Sequence, residues 1–338
     1  MTLMLSMPPI PNGYILPGIR LERRLQILMA LGIIGPMRRH QIQRVTAPDL
    51  SREGLAHHLK MLRKSGHIWM EPLTDPLGQK PINRAFLYAL TKTGSDLLRQ
   101  YVAIPKPASL SERDRLITKD GALESTQRVI HSHMLDQAEF ITRLIADLRS
   151  IDSFVGIDVW PEYTALGHIR IDALIIVRFS RQGALHALPG SKRSARWTPW
   201  LIPADSYPLD ERFHVERLFA LEIDRTTEEL SVIREKGADY RTAYIAGLWR
   251  DLIGTFPIPT FVVKSEARLA SIHQAFSRGW WNSQPPQGRA ICYAATFNRL
   301  PHSIVDGYWV DDVGATISLL ADRWDHVPAH LPVYGLRS

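Results

Sequence analysis

The chain has 338 residues and 45% hydrophobic content, enough for two ordinary domains with their own cores, and its single cysteine, Cys292, excludes an internal disulfide or a cysteine-based metal site. No apolar run reaches the roughly 18 to 20 residues that span a bilayer, and the amino terminus lacks a basic segment followed by an apolar one, so the expectation is a soluble cytoplasmic protein without membrane contact. Residues 1–104 carry 14 Lys and Arg against 6 Asp and Glu, while the remainder carries 27 against 28, so the positive excess belongs to the first third, as in a part that meets an anionic polymer.

Residues 1–19 are rich in Pro and Gly and read as a loose arm. A first helix is expected over residues 20–32, with Leu21, Leu25, Leu28 and Met29 inward, ended by Gly35-Pro36. A short second helix, 38–45, leads through Thr46-Ala47-Pro48-Asp49 to a third, 51–65, in which Ser51 is the N-cap and Leu55, Leu59 and Leu62 form the core stripe. The opposite face holds Arg52, His57, His58, Lys60, Arg63 and Lys64. Gly66 ends this helix, strands follow at 68–70 and 84–90 around the turn Asp75-Pro76-Leu77-Gly78, and Thr91 caps a helix containing Leu97 and Leu98. Three helices and a two-stranded ribbon make the winged-helix form of helix-turn-helix over residues 20–104. In that form the third helix enters the major groove of double-stranded DNA. Arg38, Arg52, His57, His58, Lys60, Arg63 and Lys64 are then candidate contacts, and Lys80 and Arg84 would flank the wing. The alternative reading of these charges is a solvated outer helix face.

A linker is expected over 105–123, with a hinge at Ile104-Pro105-Lys106-Pro107-Ala108 stiffened by two prolines. An α/β domain over 124–338 follows. It opens with a helix at 124–148, whose core candidates are Val129, Leu135, Phe140, Leu144, Ile145 and Leu148. Strands are expected at 154–163, 169–179, 218–224, 260–264 and 290–297, and a helix at 266–278.

The stretch from Arg217 to Tyr244 organises this half. Strand residues alternate faces, so Glu222 and Asp224 leave one strand end together. In the helix that follows, Leu230, Ile233, Gly237, Tyr240 and Tyr244 recur at steps of three and four, with Lys236 on the rim of that stripe. Asp172 precedes a fully apolar run that reads as a buried strand. Hydrolysis of a phosphodiester needs Mg²⁺ on hard oxygen ligands and a cation to stabilise charge on the phosphate. Asp172 and Glu222 are the candidate metal ligands, Asp172, Glu222, Asp224 and Lys236 the candidate catalytic set, and Glu139 a weaker addition. The alternative is a structural ion-pair network with no metal and no reaction.

The segments LKMLRKSGHIWM…FLYALTKTGSDLL, HMLDQAEF from His133 to Phe140, IRIDALIIV and FALEIDRTTEEL…IREKGADY stand in an order that resembles the replication-relaxation family of plasmid and mobile-element proteins, over Arg20 to about Val263. The resemblance implies a DNA-associated role in replication, topology, mobilisation or control of such an element. It leaves open a homodimer and contacts to replication or mobilisation proteins. The order helix, three strands, helix, strand in the second half resembles the PD-(D/E)xK nuclease-like fold. That superfamily usually has Lys two residues after the Glu, where this chain has Asp224, so Lys236 would replace the missing ammonium from the helix.

The insertion Ser180 to Glu216 interleaves Lys192, Arg193, Arg196, Trp197 and Trp200, which suits either single-stranded nucleic acid or an ordered loop packed on the body. Trp280-Trp281 admits the same two readings. His131 and His133 lie two apart on a helix, point in different directions and are poor zinc co-ligands. No phosphate-binding Gly loop, serine-nucleophile elbow or internal repeat is present, which argues against an ATPase, a serine hydrolase and a solenoid.

Overall fold

A computed structural model describes residues 18–46, 50–74, 81–101, 125–151, 154–163, 169–180, 214–225, 228–247, 256–281 and 292–300, with single residues such as 48 and 249 and short pieces between 303 and 319. Residues 1–17 of the expected arm, the linker and its hinge, Lys80 and the tryptophans of the long insertion lie outside the described residues, and residues 18 and 19 belong to the first helix instead of the arm. The architecture is mixed α/β. Its described residues fall into two compact units, one drawn from 4–159 and 178–215 and the other from 160–177 and 216 onward.

The first unit begins with α1 (Gly18–Ile33), β1 (Met37–Arg38), α2 (Arg39–Thr46) and α3 (Arg52–Lys64), and continues with β2 (Ile68–Thr74), β3 (Pro81–Leu90), α4 (Lys92–Tyr101) and α5 (Ser125–Leu148). Ile27, Leu28, Leu31, Met37, Ile42, Val45, Leu55, Leu59, Leu62, Ile68, Leu87 and Leu98 are buried here. The expected ribbon gains a short third strand, giving the order β1-β3-β2, with Met37 opposite Tyr88 and Ile68 antiparallel to Leu90. The register shifts between Pro72 and Thr74, where proline has no N–H for the ladder.

The start of α4 explains the sequence Tyr88-Ala89-Leu90-Thr91-Lys92-Thr93-Gly94. The Thr91 hydroxyl accepts from Gly94 N at 3.0 Å and donates to Gly66 O at 2.5 Å, and Thr91 N donates to His67 O at 3.1 Å. A Cβ at Gly94 would lie 2.0 Å from His67 O, so only glycine lets the helix start dock this closely on the turn after α3. Helix α5, placed by the sequence reading in the second half, groups with this first unit. Leu135, Phe140, Leu144, Ile145 and Leu148 are buried as expected of its apolar stripe.

The large sheet has seven strands in the order β10-β9-β8-β7-β6-β5-β4. These are β4 (Phe154–Tyr163), β5 (Ile171–Ser180), β6 (His214–Asp224), β7 (Ile258–Val263), β8 (Tyr293–Thr296), β9 (Trp309–Asp311) and β10 (Thr316–Ile317). Strands β6, β7 and β8 are parallel neighbours, with Glu222 level with Phe261, Asp224 with Val263, and Val263 with Thr296. They are joined by α6 (Leu230–Ala246) and α7 (Glu266–Trp281). Strands β9 and β10, absent from the sequence reading, extend the sheet antiparallel beyond β8.

Against this sheet α6 and α7 build the core of Ile233, Tyr240, Tyr244, Trp249, Phe256, Phe261, Leu269, Ile272, Phe276 and Trp280. Trp280 is buried 5.7 Å from the ring of Tyr244 and 6.1 Å from that of Phe256, so of its two readings it takes the packing one. Leu230, expected on the inner stripe, is exposed: as the first residue of α6 it precedes the turn on which the helix meets its neighbour. That meeting is made by glycines. A Cβ on Gly237 would lie 2.3 Å from Phe276 O, and one on Gly279 would lie 1.8 Å from Arg234 O. Backbone carbonyls cannot rotate away as a side-chain end can, so both positions admit only hydrogen. Gly237→Ala and Gly279→Ala are each expected to destabilise the protein by about 2 to 4 kcal/mol through overpacking, despite alanine's better helix propensity. Denaturant unfolding checks this, and an unchanged midpoint in either variant contradicts a closed backbone contact.

Candidate functional site

At the end of β6, Glu222 is 2% exposed, and both its oxygens are engaged. Oε1 accepts from the Tyr240 hydroxyl at 2.8 Å, and Oε2 accepts from Lys236 Nζ at 2.9 Å. Lys236 and Tyr240 are four apart on α6 and so share a face, which lies over the strand because Gly237 holds the helix on α7. Lys236 Nζ also reaches Glu228 Oε1 at 3.3 Å. From β5, Asp172 Oδ2 accepts from Ile223 N at 2.7 Å, and its charge acts on Glu222, Lys236 and Tyr240 alike. The structure therefore brings together three of the four residues expected to form a catalytic set.

The fourth belongs to a separate pair. Asp224 is buried and accepts from Arg268 Nε at 2.7 Å on Oδ2 and from Arg268 Nη2 at 2.9 Å on Oδ1, while Arg268 also donates to Glu228 O. A carboxylate held on both oxygens by a guanidinium is a fixed structural element, so Asp224 is removed from the cluster around Glu222. Along the same strand ends, Arg299 holds Glu266, which also accepts from Thr296 Oγ1 at 3.1 Å. Tyr240, Arg268 and Glu228 were missed by the sequence reading. Tyr240 had a findable signal, since it lies one helical turn after Lys236; Arg268 is 44 residues from Asp224 and had none.

Burial pushes the Glu222 carboxyl up to about 7, reinforced by the charge of Asp172 and opposed by Lys236 and Tyr240. Burial acts to lower Lys236, but the carboxylates of Glu222, Asp172 and Glu228 outweigh it and hold the ammonium protonated. Among the described residues no group of three or more His, Cys, Asp or Glu is arranged to hold a metal ion. Glu139, the weaker acidic candidate, faces α2 instead: it accepts from Arg44 Nη1 at 3.0 Å and from Gln41 Nε2 at 2.9 Å, and lies 3.4 Å from His40 Nε2.

On α3, Ser51 Oγ accepts from Gly54 N at 3.1 Å as the expected N-cap. Arg52, His57, Lys60, Arg63 and Lys64 are exposed, as is Arg38 on β1. His58 is corrected: it is buried, because it follows Leu55 by three residues and precedes Leu62 by four, which places it on the core stripe. It therefore cannot join the outer basic face. Arg84 lies in β3, and its side chain is outside the described residues, as is Lys80.

The chain is an α/β protein with a cation-faced helix in one unit and, in the other, a network of buried Glu222 and Tyr240 with partly buried Asp172 and Lys236 at the end of β6 in a mixed sheet. A family model described as replication-relaxation matches residues 28–258, more than half of the chain, and the chain belongs to that family. No curated protein and no solved structure shows significant similarity to it. Among the described residues no helix is long and apolar enough to cross a membrane.

The raised Glu222 carboxyl gives a pH signature. A folded value above the unfolded one, about 4.3, means that the folded state binds the proton more tightly, so this group's contribution to stability is full below about pH 4.3 and is lost as pH rises through about 7. The wild type is thus expected to lose stability relative to Glu222→Gln between those limits, in thermal unfolding followed across pH. A difference that stays level places the Glu222 proton in both states alike. Tyr240→Phe, which strips one buried acceptor of its donor, should cost about 1 to 3 kcal/mol at neutral pH in the same measurement.

Proposed function

We propose that this chain is a DNA-binding protein of a plasmid or mobile element, acting in its replication, relaxation, mobilisation or transcriptional control, and that residues 20–104 work as a winged helix. One observation carries the reading: α3 has a buried stripe of Leu55, Leu59 and Leu62 and an exposed face of Arg52, His57, Lys60, Arg63 and Lys64, in the part of the chain that holds the whole positive excess. A helix of 13 residues fits the major groove, its cations neutralise phosphates, and the polar side chains between them reach base edges. Arg38 on β1, just before α2, adds a further exposed cation. Membership of the replication-relaxation family supports the same process.

A second reading, a Mg²⁺-dependent DNA endonuclease that nicks its target, rests on the Lys236–Glu222 contact at 2.9 Å with Asp172 beside it. The donor set offered to an ion is two carboxylates, Asp172 and Glu222, short of a group of three among the described residues. Magnesium keeps several waters and takes one or two carboxylates with substrate phosphates, and each engaged oxygen of Glu222 retains a lone pair. Asp172 and Glu222 would hold it, and when bound it supplies a Lewis acid for a phosphoryl oxygen. Lys236 then orients and neutralises the phosphate, and Tyr240 fixes the carboxylate beside it. Asp224 takes no part, being held by Arg268.

Arg63→Ala with Lys64→Ala should weaken duplex binding and reduce the slope of log affinity against log salt by about 2, since each phosphate left unneutralised keeps its own counterion. Unchanged affinity and slope take this helix out of the interface. For the second reading, supercoiled plasmid incubated with Mg²⁺ or Mn²⁺ should be nicked by the wild type and left intact by Asp172→Ala. Intact plasmid in every arm removes it.

A further inference from the structure

Helix α2 is held by α5 through three of its polar side chains, His40, Gln41 and Arg44. Leu135, Glu139, Thr142 and Arg149 follow one another at steps of four, three and seven, which is one stripe along α5 and its exit. Gln41, buried in α2, accepts from Arg38 N at 2.8 Å with its amide oxygen and donates with its nitrogen to Glu139 Oε2 at 2.9 Å and to Leu135 O at 3.3 Å. Arg44 Nη1 donates to both Glu139 Oε1, at 3.0 Å, and Thr142 Oγ1, at 2.9 Å. At the carboxyl end of α2, Arg149 donates to Arg44 O at 2.8 Å and to Val45 O, and Arg23 donates to Thr46 O at 2.9 Å. These carbonyls have no partner within the helix, and a guanidinium is the side chain best suited to them.

An eight-residue helix is far below the length that stands by itself in water, so the direction of α2 is set by what grips it. Helix α2 immediately precedes α3, and Gln43 Nε2 ties the turn between them by donating to Leu50 O at 2.8 Å. We propose that α5 is a latch on the DNA-reading unit, with Glu139 and Arg149 as positioning residues that fix α2 and through it the presentation of α3. The reading unit therefore extends through Arg149, and a force on α5 changes DNA affinity without any residue of α5 touching DNA. This inference rests on the DNA-binding reading for its functional half, and on the contacts alone for the latch.

The test uses full-length protein and compares Glu139→Ala, Glu139→Gln and Thr142→Val. The two Glu139 variants make the same change in net charge, and only Gln keeps an acceptor oxygen, which can serve Gln41 or Arg44 but not both as the two carboxylate oxygens do. Field effects alone would raise duplex affinity equally in both, since a negative charge is lost from a basic unit. The latch requires the opposite: Glu139→Ala binds roughly five-fold or more weaker, Glu139→Gln recovers part of that loss, and Thr142→Val, with no charge change, weakens binding to a smaller extent. Hydrogen exchange should accelerate over residues 39–46 in the Ala and Val variants while α1 and β3 of the same unit stay protected, which also shows that this unit remains folded. Equal gains in affinity for Ala and Gln, or unchanged exchange over 39–46 in both the Ala and Val variants, overturn the latch. If the wild type binds no duplex but exchange over 39–46 accelerates, the latch stands and the DNA reading falls.

Discussion

The second unit depends on two helices touching through their backbones. Gly237 lies against the carbonyl of Phe276 and Gly279 against that of Arg234, so α6 and α7 approach more closely than any pair bearing side chains at those points. The contact fixes the rotation of α6 about its axis, because only the turn bearing Gly237 can face α7. Lys236 and Tyr240, one residue before and three after, then have no choice but to sit over the end of β6. The same contact sets α7 so that Arg268 reaches Asp224. A steric fact about hydrogen atoms thus decides where an ammonium, a phenol and a guanidinium lie.

The charges so placed are a weak source of stability. A buried ion pair offsets its desolvation only with good geometry, and well-packed apolar residues often do as well or better. Asp224 with Arg268 meets the geometric condition, both oxygens being matched to the planar fork. Glu222 meets it less completely, since Asp172 adds a second negative charge close by and burial drives the carboxyl up to about 7. The two clusters thus differ in kind: Asp224 has one cation matched to both its oxygens, whereas Glu222 is shared between an ammonium and a phenol with a second acid, Asp172, close by.

Much of this was legible before any coordinates. Alternation along β6 put Glu222 and Asp224 on one side, helical steps put Lys236 beside the inner stripe, and Ser51 marked the start of α3. Local rules succeed where the partner is within a turn or on the next strand. His58 was placed on the outer face, but counted from Leu55 and Leu62 it belongs to the core. Leu230 followed the apolar spacing yet lies too early in α6 to be covered. Arg268 with Asp224, and Gln41 with Glu139, were beyond reach, because pairs separated by 44 and 98 residues leave no periodic trace in a single sequence.

The boundary of the first unit makes the same point at larger scale. Reading elements by order ends a winged helix at α4 and starts a new domain at α5, since a long helix before a run of strands looks like an opening. Burial and hydrogen bonding divide the chain differently. Without α5 and its exit, Gln41 would be left with buried donors lacking acceptors and the carbonyls of Arg44 and Val45 would lose their cap. Leaving several buried polar groups unsatisfied costs about 1 to 3 kcal/mol each, comparable in sum to the whole stability of a small domain. The helix that sequence order assigns to the second half is for that reason a part of the first, and the basic helix α3 is presented by a frame that reaches past residue 148.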